Sequence, residues 1–166
     1  MQLRLEEISI RTIEKKDNAA VADLIRTTLK EFGANHPGTV YYDEATDHLF
    51  DLFEKTPRCI YYVAEYKNEI VGGGGIFPTE GLPEDTCELV KMYLHQTVRG
   101  IGLGKTFIQK CIDFAKETGY KNIYLETMPE LKQALKTYEK FGFHFLNHPL
   151  GNSGHFGCDL WMLKEL

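Results

Sequence analysis

The sequence predicts an α/β (α+β) fold, a mixed central β-sheet flanked by helices, and three observations lead to it. Strand-like apolar runs alternate with runs whose apolar residues recur at helical spacing along nearly the whole chain. A hairpin signal in the first half and two strand-like runs at the end add antiparallel pairing to strand–helix–strand connections. The 166 residues suit a single domain over 1–166 with a sizeable core, and no repeat or linker divides them.

In chain order, Ile8 to Arg11 reads as the first strand. A helix then starts at Asp17-Asn18 and carries Val21, Leu24, Ile25, Thr28 and Leu29 on one face, with Gly33 as its stop. After the turn Asn35-His36-Pro37-Gly38, a second helical stretch runs from about Asp43 to Lys55, directs Ala45, Leu49, Leu52 and Phe53 inward, and is ended by Pro57. Cys59 to Tyr66 and Glu69 to Phe77 form a hairpin about Lys67-Asn68. Gly72-Gly73-Gly74-Gly75 inside the second arm indicates a bulge or a closely approached backbone, in preference to a ligand loop. A strand at Glu88 to Leu94, a helix from Leu103, a strand at Asn122 to Thr127 and a helix around Glu130 to Lys140 follow. The terminal pair is Phe143 to Leu146 and Cys158 to Lys164.

Composition narrows the function. A net charge of −5 with scattered Lys and Arg disfavours nonspecific nucleic-acid binding, and suits a cationic or amine-bearing small substrate. No apolar run approaches the roughly 20 residues that span a bilayer, and the N-terminal residues lack signal or transit character, so the expectation is a cytoplasmic protein without a membrane partner. Cys59, Cys87, Cys111 and Cys158 lie far apart, as reduced and mostly buried thiols do; Cys111 falls on an apolar helix face. His144, His148 and His155 present no regular ligand face, so no metal is expected.

The densest signal is Arg99-Gly100-Ile101-Gly102-Leu103-Gly104-Lys105-Thr106, set between a strand and an amphipathic helix. Glycines at such a join let backbone N–H groups converge on an anion at the positive end of the helix dipole, where Arg99 and Lys105 add charge. Two familiar phosphate motifs fail on register. A P-loop requires glycine where Arg99 stands, and the dinucleotide pattern requires it at Lys105 or Phe107. A glycine-rich turn without a ligand is the alternative.

Here the chain resembles the GCN5-related N-acetyltransferase superfamily. Its acetyl-coenzyme A signature, Arg or Gln, two residues, Gly, one residue, then Gly or Ala, is matched by Arg99, Gly102 and Gly104. Its later Tyr-x-x-x-Gly-Phe element is similar to Tyr138 through Phe143. The resemblance implies the acyl-CoA N-acyltransferase fold, in which the strands matching Glu88–Leu94 and Asn122–Thr127 splay apart. It implies acetyl-CoA as cosubstrate, with the pyrophosphate on Arg99, Gly100, Ile101, Gly102, Leu103, Gly104 and Lys105 and the pantetheine arm beside Met92, Tyr93 and Leu94. It also implies transfer of the acetyl group to a primary amine of a small molecule or amino acid. Glu88 then acts as base, directly or through a water, and Tyr138 as general acid; a solvated strand carboxylate and a core tyrosine are the alternative roles. Leu131 stands where many members carry an asparagine that contacts the cofactor arm. Tyr41, Tyr42, Glu80, Glu84, Asp85 and His155 are candidates to line the acceptor pocket. A homodimer through the terminal strands fits the family. The rival reading is a non-catalytic acyl-CoA binding or sensing module.

Overall fold

The computed structural model describes residues 2–166. Seven strands form one sheet: β1 (Ser9–Thr12), β2 (Ile60–Tyr66), β3 (Glu69–Phe77), β4 (Thr86–Leu94), β5 (Asn122–Thr127), β6 (His144–Phe145) and β7 (Leu160–Glu165), in the spatial order β1-β2-β3-β4-β5-β7-β6. All neighbours are antiparallel except β4 and β5, which are parallel and joined by a helical crossover, so the sheet is mixed as the sequence predicts. Helices α1 (Asn18–Glu31) and α2 (Leu49–Lys55) cover one face. Helices α3 (Leu103–Glu117) and α4 (Lys132–Lys140) cover the other. Apolar spacing decides which face each helix buries: Val21, Ile25 and Leu29 of α1 pack against Val63 and Val90, and Ile108, Cys111, Ile112 and Ala115 of α3 against Ile76, Cys87, Leu89 and Ile123.

The hairpin lies where expected. Lys67 and Asn68 both take positive φ, 49° and 66°, the pair of angles a tight two-residue β-turn needs. The second helical stretch differs from its prediction. It breaks into a 3-10 segment, Glu44–His48, followed by α2, because buried Thr46 donates its hydroxyl to Val40 O at 2.9 Å and Asn18 Oδ1 accepts from Phe50 N at 2.8 Å. The Thr46 side chain ties the 3-10 segment to the preceding turn and Asn18 holds the first turn of α2, so a continuous helix is not required. The terminal strands are also shorter than predicted, and Cys158 lies before β7.

The glycine run is a bulge, as the sequence suggests. Gly73 faces Tyr93 and Gly75 faces Val90, so Lys91 and Met92 together oppose Gly74. A methyl group at Gly75 would overlap Ile60 O, and one at Gly73 would lie 2.5 Å from the Tyr61 hydroxyl oxygen. Tyr61, 1 % exposed, thereby lies flat across the glycines and donates its hydroxyl to Lys91 O at 2.7 Å, propping the bulge from beneath. Gly75→Ala is expected to destabilise the protein by about 1–3 kcal/mol through overpacking against main chain, read as a lower urea midpoint at unchanged slope.

Candidate active site

β4 and β5 pair only over Thr86–Asn122, Cys87–Ile123 and Glu88–Tyr124. Beyond Glu88 the two strands diverge, which is the splay the resemblance implies. On the α1/α2 side of this seam lies a small cleft of about 40 Å³, lined by Glu88, Lys91, Tyr93, Glu126, Met128, His155 and neighbours. That is room for a water or an amine head.

Each polar side chain in the cleft is set there by its local backbone. Glu88 is the last β4 residue before the splay and is 4 % exposed; its Oε1 accepts from Thr79 Oγ1 at 2.5 Å. Burial pushes its carboxyl up to about 7, the Thr79 hydrogen bond opposes that rise, and neighbouring Glu126 adds to it. Glu126, two residues past the end of the pairing, accepts from Tyr124 Oη at 2.7 Å and from Ser153 Oγ. His155, in the loop before β7, has Nε2 3.2 Å from Asp43 Oδ2 and Nδ1 3.8 Å from Glu126 Oε1. Asp43 is held down to about 2, chiefly by that histidine hydrogen bond against the opposing effect of burial, with Lys91 and the Ala45 N–H assisting. One ligand atom from each of Glu88, Glu126 and His155 falls within 4.8 Å of the others, so these three are the residues able to surround a cation, an ammonium included.

Lys91 is the extra residue of the bulge. Its φ of 51° is left-handed, a conformation that costs a side-chain-bearing residue roughly 1–2 kcal/mol and favours glycine or asparagine. Burial lowers its pKa, while Asp43 and Glu88 act to raise it.

The glycine turn is formed as expected. Gly100 and Gly102 take φ of 79° and 94°, and Gly102 caps α3. The first helical hydrogen bond is Thr106 N to Gly102 O at 3.1 Å, so the N–H groups just before it lie outside the ladder and open toward a ligand. Lys105 is exposed in this first turn. Arg99 has partners within the chain. Its guanidinium donates to Leu94 O at 3.1 and 2.8 Å, pairs with Glu31 at 2.5 Å and stacks 4.8 Å from the centre of the Phe32 ring. The charge assigned to a pyrophosphate is therefore engaged by α1, and Arg99 instead ties the end of β4 to that helix. Its N–H is also engaged, by Gln96 O at 3.4 Å.

Tyr138 lies across the seam, on the α3/α4 side, 7 % exposed and packed 5.8 Å from Phe143 between ring centres. It does not line the cleft. Burial raises its pKa. Its hydroxyl makes no hydrogen bond among the described residues, where no fully buried side-chain nitrogen or oxygen lacks a partner, so the hydroxyl reaches accessible space. Of the six acceptor-pocket candidates, His155 lines the cleft. Tyr42 is 62 % exposed, Tyr41 packs beside the core, and Glu80, Glu84 and Asp85 sit on the surface. Leu131, noted for the missing asparagine, lines the cleft with Met128. Sequence reasoning missed Asp43, Lys91 and Glu126. Lys91 and Glu126 carry a usable signal, since each is a charge inside a mostly apolar strand.

Comparison with known proteins agrees with this geometry. The model of the Acetyltransferase (GNAT) family matches residues 23–143. Uncharacterized N-acetyltransferase YjgM of Escherichia coli (strain K12) is 40% identical over 95% of this chain and 94% of its own length. A GNAT-family acetyltransferase structure from Staphylococcus aureus Mu50 superposes with a TM-score of 0.80 at 18% identity, covering 95% of this chain and 98% of that one. The PaiA N-acetyltransferase of Thermoplasma acidophilum, solved in complex with coenzyme A, gives a TM-score of 0.70 at 18% identity, covering 96% and 99%. At such identities the structures speak for the fold. The family model and the Escherichia coli relative carry the assignment, and with the splayed strands and glycine turn they make this chain a member of the GNAT family of acetyltransferases.

Proposed function

We propose that this protein transfers the acetyl group of acetyl-CoA to the primary amine of a small molecule or amino acid by direct attack. The observation that carries the reading is Glu88, a buried carboxyl with its pKa near 7 at the point where β4 and β5 separate. An ammonium has no lone pair, and a base whose pKa lies close to ambient pH is suited to removing its proton. The cosubstrate supplies an activated thioester carbonyl. The N–H groups of Gly100 through Lys105 hold its pyrophosphate, and the unpaired edge of β4 near Met92 and Tyr93 aligns its arm. Leu94 contributes less than the resemblance implies, because its carbonyl already accepts from Arg99.

Glu88 first takes the ammonium proton, directly or through a water in the cleft, and passes it to solvent; the neutral nitrogen then bonds to the carbonyl carbon and gives its second proton to Glu88. The carbon–sulfur bond then breaks and Tyr138 protonates the departing sulfur. Burial keeps the phenol protonated at neutral pH, ready to donate as charge collects on sulfur.

The test is release of free thiol from acetyl-CoA across a panel of amines, amino acids and short peptides, alongside calorimetric titration of coenzyme A. Acceptor-dependent release is the expected result. Cofactor binding without release for any acceptor turns the reading to a binding module, and absence of both removes the cradle at Gly100 to Lys105.

A further inference from the structure

We infer that Lys91 is the receptor for a carboxylate on the acceptor, so that the acceptor presents an amine and a carboxylate together, as an α-amino acid does. This rests on reading the cleft as the acceptor side of an acetyl-transfer site.

Asp43 has His155 at 3.2 Å, Glu126 has the Tyr124 and Ser153 hydroxyls, and Glu88 has Thr79. The Lys91 ammonium makes no hydrogen bond or ion pair among the described residues, although it lines the cleft, and the two carboxylates whose charge acts on it, Asp43 and Glu88, are bonded to His155 and Thr79. Because no fully buried side-chain nitrogen or oxygen there lacks a partner, its ammonium emerges at the cleft wall. A poorly solvated ammonium gains most from an anion that arrives with the ligand.

The backbone at Lys91 is strained. Lysine occupies a left-handed position that glycine would fill without strain, in a bulge that turns the side chain toward the seam. A strained residue at such a place is retained for what its side chain does. Charge placement points the same way. Glu88, Glu126 and His155 cluster around one point suited to an amine, and Lys91 stands three positions beyond Glu88 on the same strand. A simple amine satisfies the first group and leaves Lys91 unmet; a zwitterion satisfies both.

The experiment compares the twenty L-amino acids with their primary amides as acceptors, for the unmodified protein, Lys91→Gly and Lys91→Arg, with acetyl-CoA. Glycine suits the backbone angle, so loss of the ammonium is separated from loss of folding, and a thermal melt checks that separation. The amide's amine is intrinsically less basic. The readout is therefore the change in the acid-to-amide ratio of kcat/KM between proteins, in which that difference cancels. The expected result is a fall of about 10–100-fold in this ratio for Lys91→Gly, carried mostly by KM for the acid, with partial recovery in Lys91→Arg. A purely structural role lowers acids and amides alike and leaves the ratio unmoved, which overturns the inference. So does a protein that acetylates carboxylate-free amines and no amino acid, while acetyl transfer itself stands. Absence of release with every acceptor, amino acid or amine, instead removes the transferase reading on which the inference depends.

Discussion

Glu88→Gln is expected to lower kcat about 10²–10⁴-fold, the usual weight of a positioned general base, while making the protein more stable above pH 7. The two effects share a cause. In the folded protein, burial raises this carboxyl from 4.5 to about 7, so the native state holds the proton more tightly than the unfolded chain. For an acid raised in this way, stability falls as pH climbs from about 4.5 through about 7 and stays lower above, because the native state must then keep a charge it solvates poorly. A shift of this size corresponds to on the order of 3 kcal/mol. Glutamine has no proton to lose. The variant's melting temperature should therefore exceed that of the unmodified protein at pH 8 and match it near pH 4.5. Activity should show the mirror image: the unmodified protein loses kcat below about pH 7, and the variant lacks that limb. A variant with undiminished turnover, or one that keeps the limb at the same midpoint, would leave Glu88 as a buried carboxyl without a catalytic role.

Tyr138→Phe is expected to lower kcat by a similar 10²–10⁴-fold while the KM for acetyl-CoA moves little. The ring packs against Phe143 in the α3/α4 core, and phenylalanine keeps that contact. The hydroxyl has no hydrogen-bond partner among the described residues, so its removal breaks no bond within the chain. Stability should accordingly change by less than about 0.5 kcal/mol, the range of substitutions that leave packing and buried hydrogen bonds intact. This pairing makes the measurement decisive, since an unchanged melt with a collapsed kcat separates proton donation from packing. Equal turnover by the variant would return Tyr138 to the core.

Much of this architecture was legible in the residues. The strands β3 and β5 and the hairpin turn fall where β-branched and aromatic runs and Lys67-Asn68 put them, and α3 follows Gly102 as the apolar spacing from Leu103 requires. Those signals are local: side-chain period, turn angles and helix capping are properties of neighbouring residues. The break between the 3-10 segment Glu44–His48 and α2 was illegible for the converse reason, because Phe50 N at the head of α2 is held by Asn18, a full helix away in sequence, while the Thr46 side chain is tied back to Val40 O. Arg99 shows the same limit. Its place in the signature pointed to a phosphate, and Glu31 and Phe32 at the end of α1 claimed its guanidinium.

The sequence by itself determined the mixed sheet, the order of its elements, the glycine turn at the head of α3 and the family to which these belong. It also singled out Glu88, through the resemblance of its strand to the one on which the family carries a glutamate. Only the tertiary structure decided what surrounds that carboxylate. Lys91, Glu126 and His155 come from three separate segments, with Asp43 of a fourth joined to them through His155, and they converge because β4 and β5 separate after Glu88 and a bulge opposite Gly74 turns Lys91 into the opening. Electrostatic effects act through space and depend on burial, so the proton affinity of Glu88 and the action of Asp43 and Glu88 on Lys91 exist only once the chain has brought these segments together.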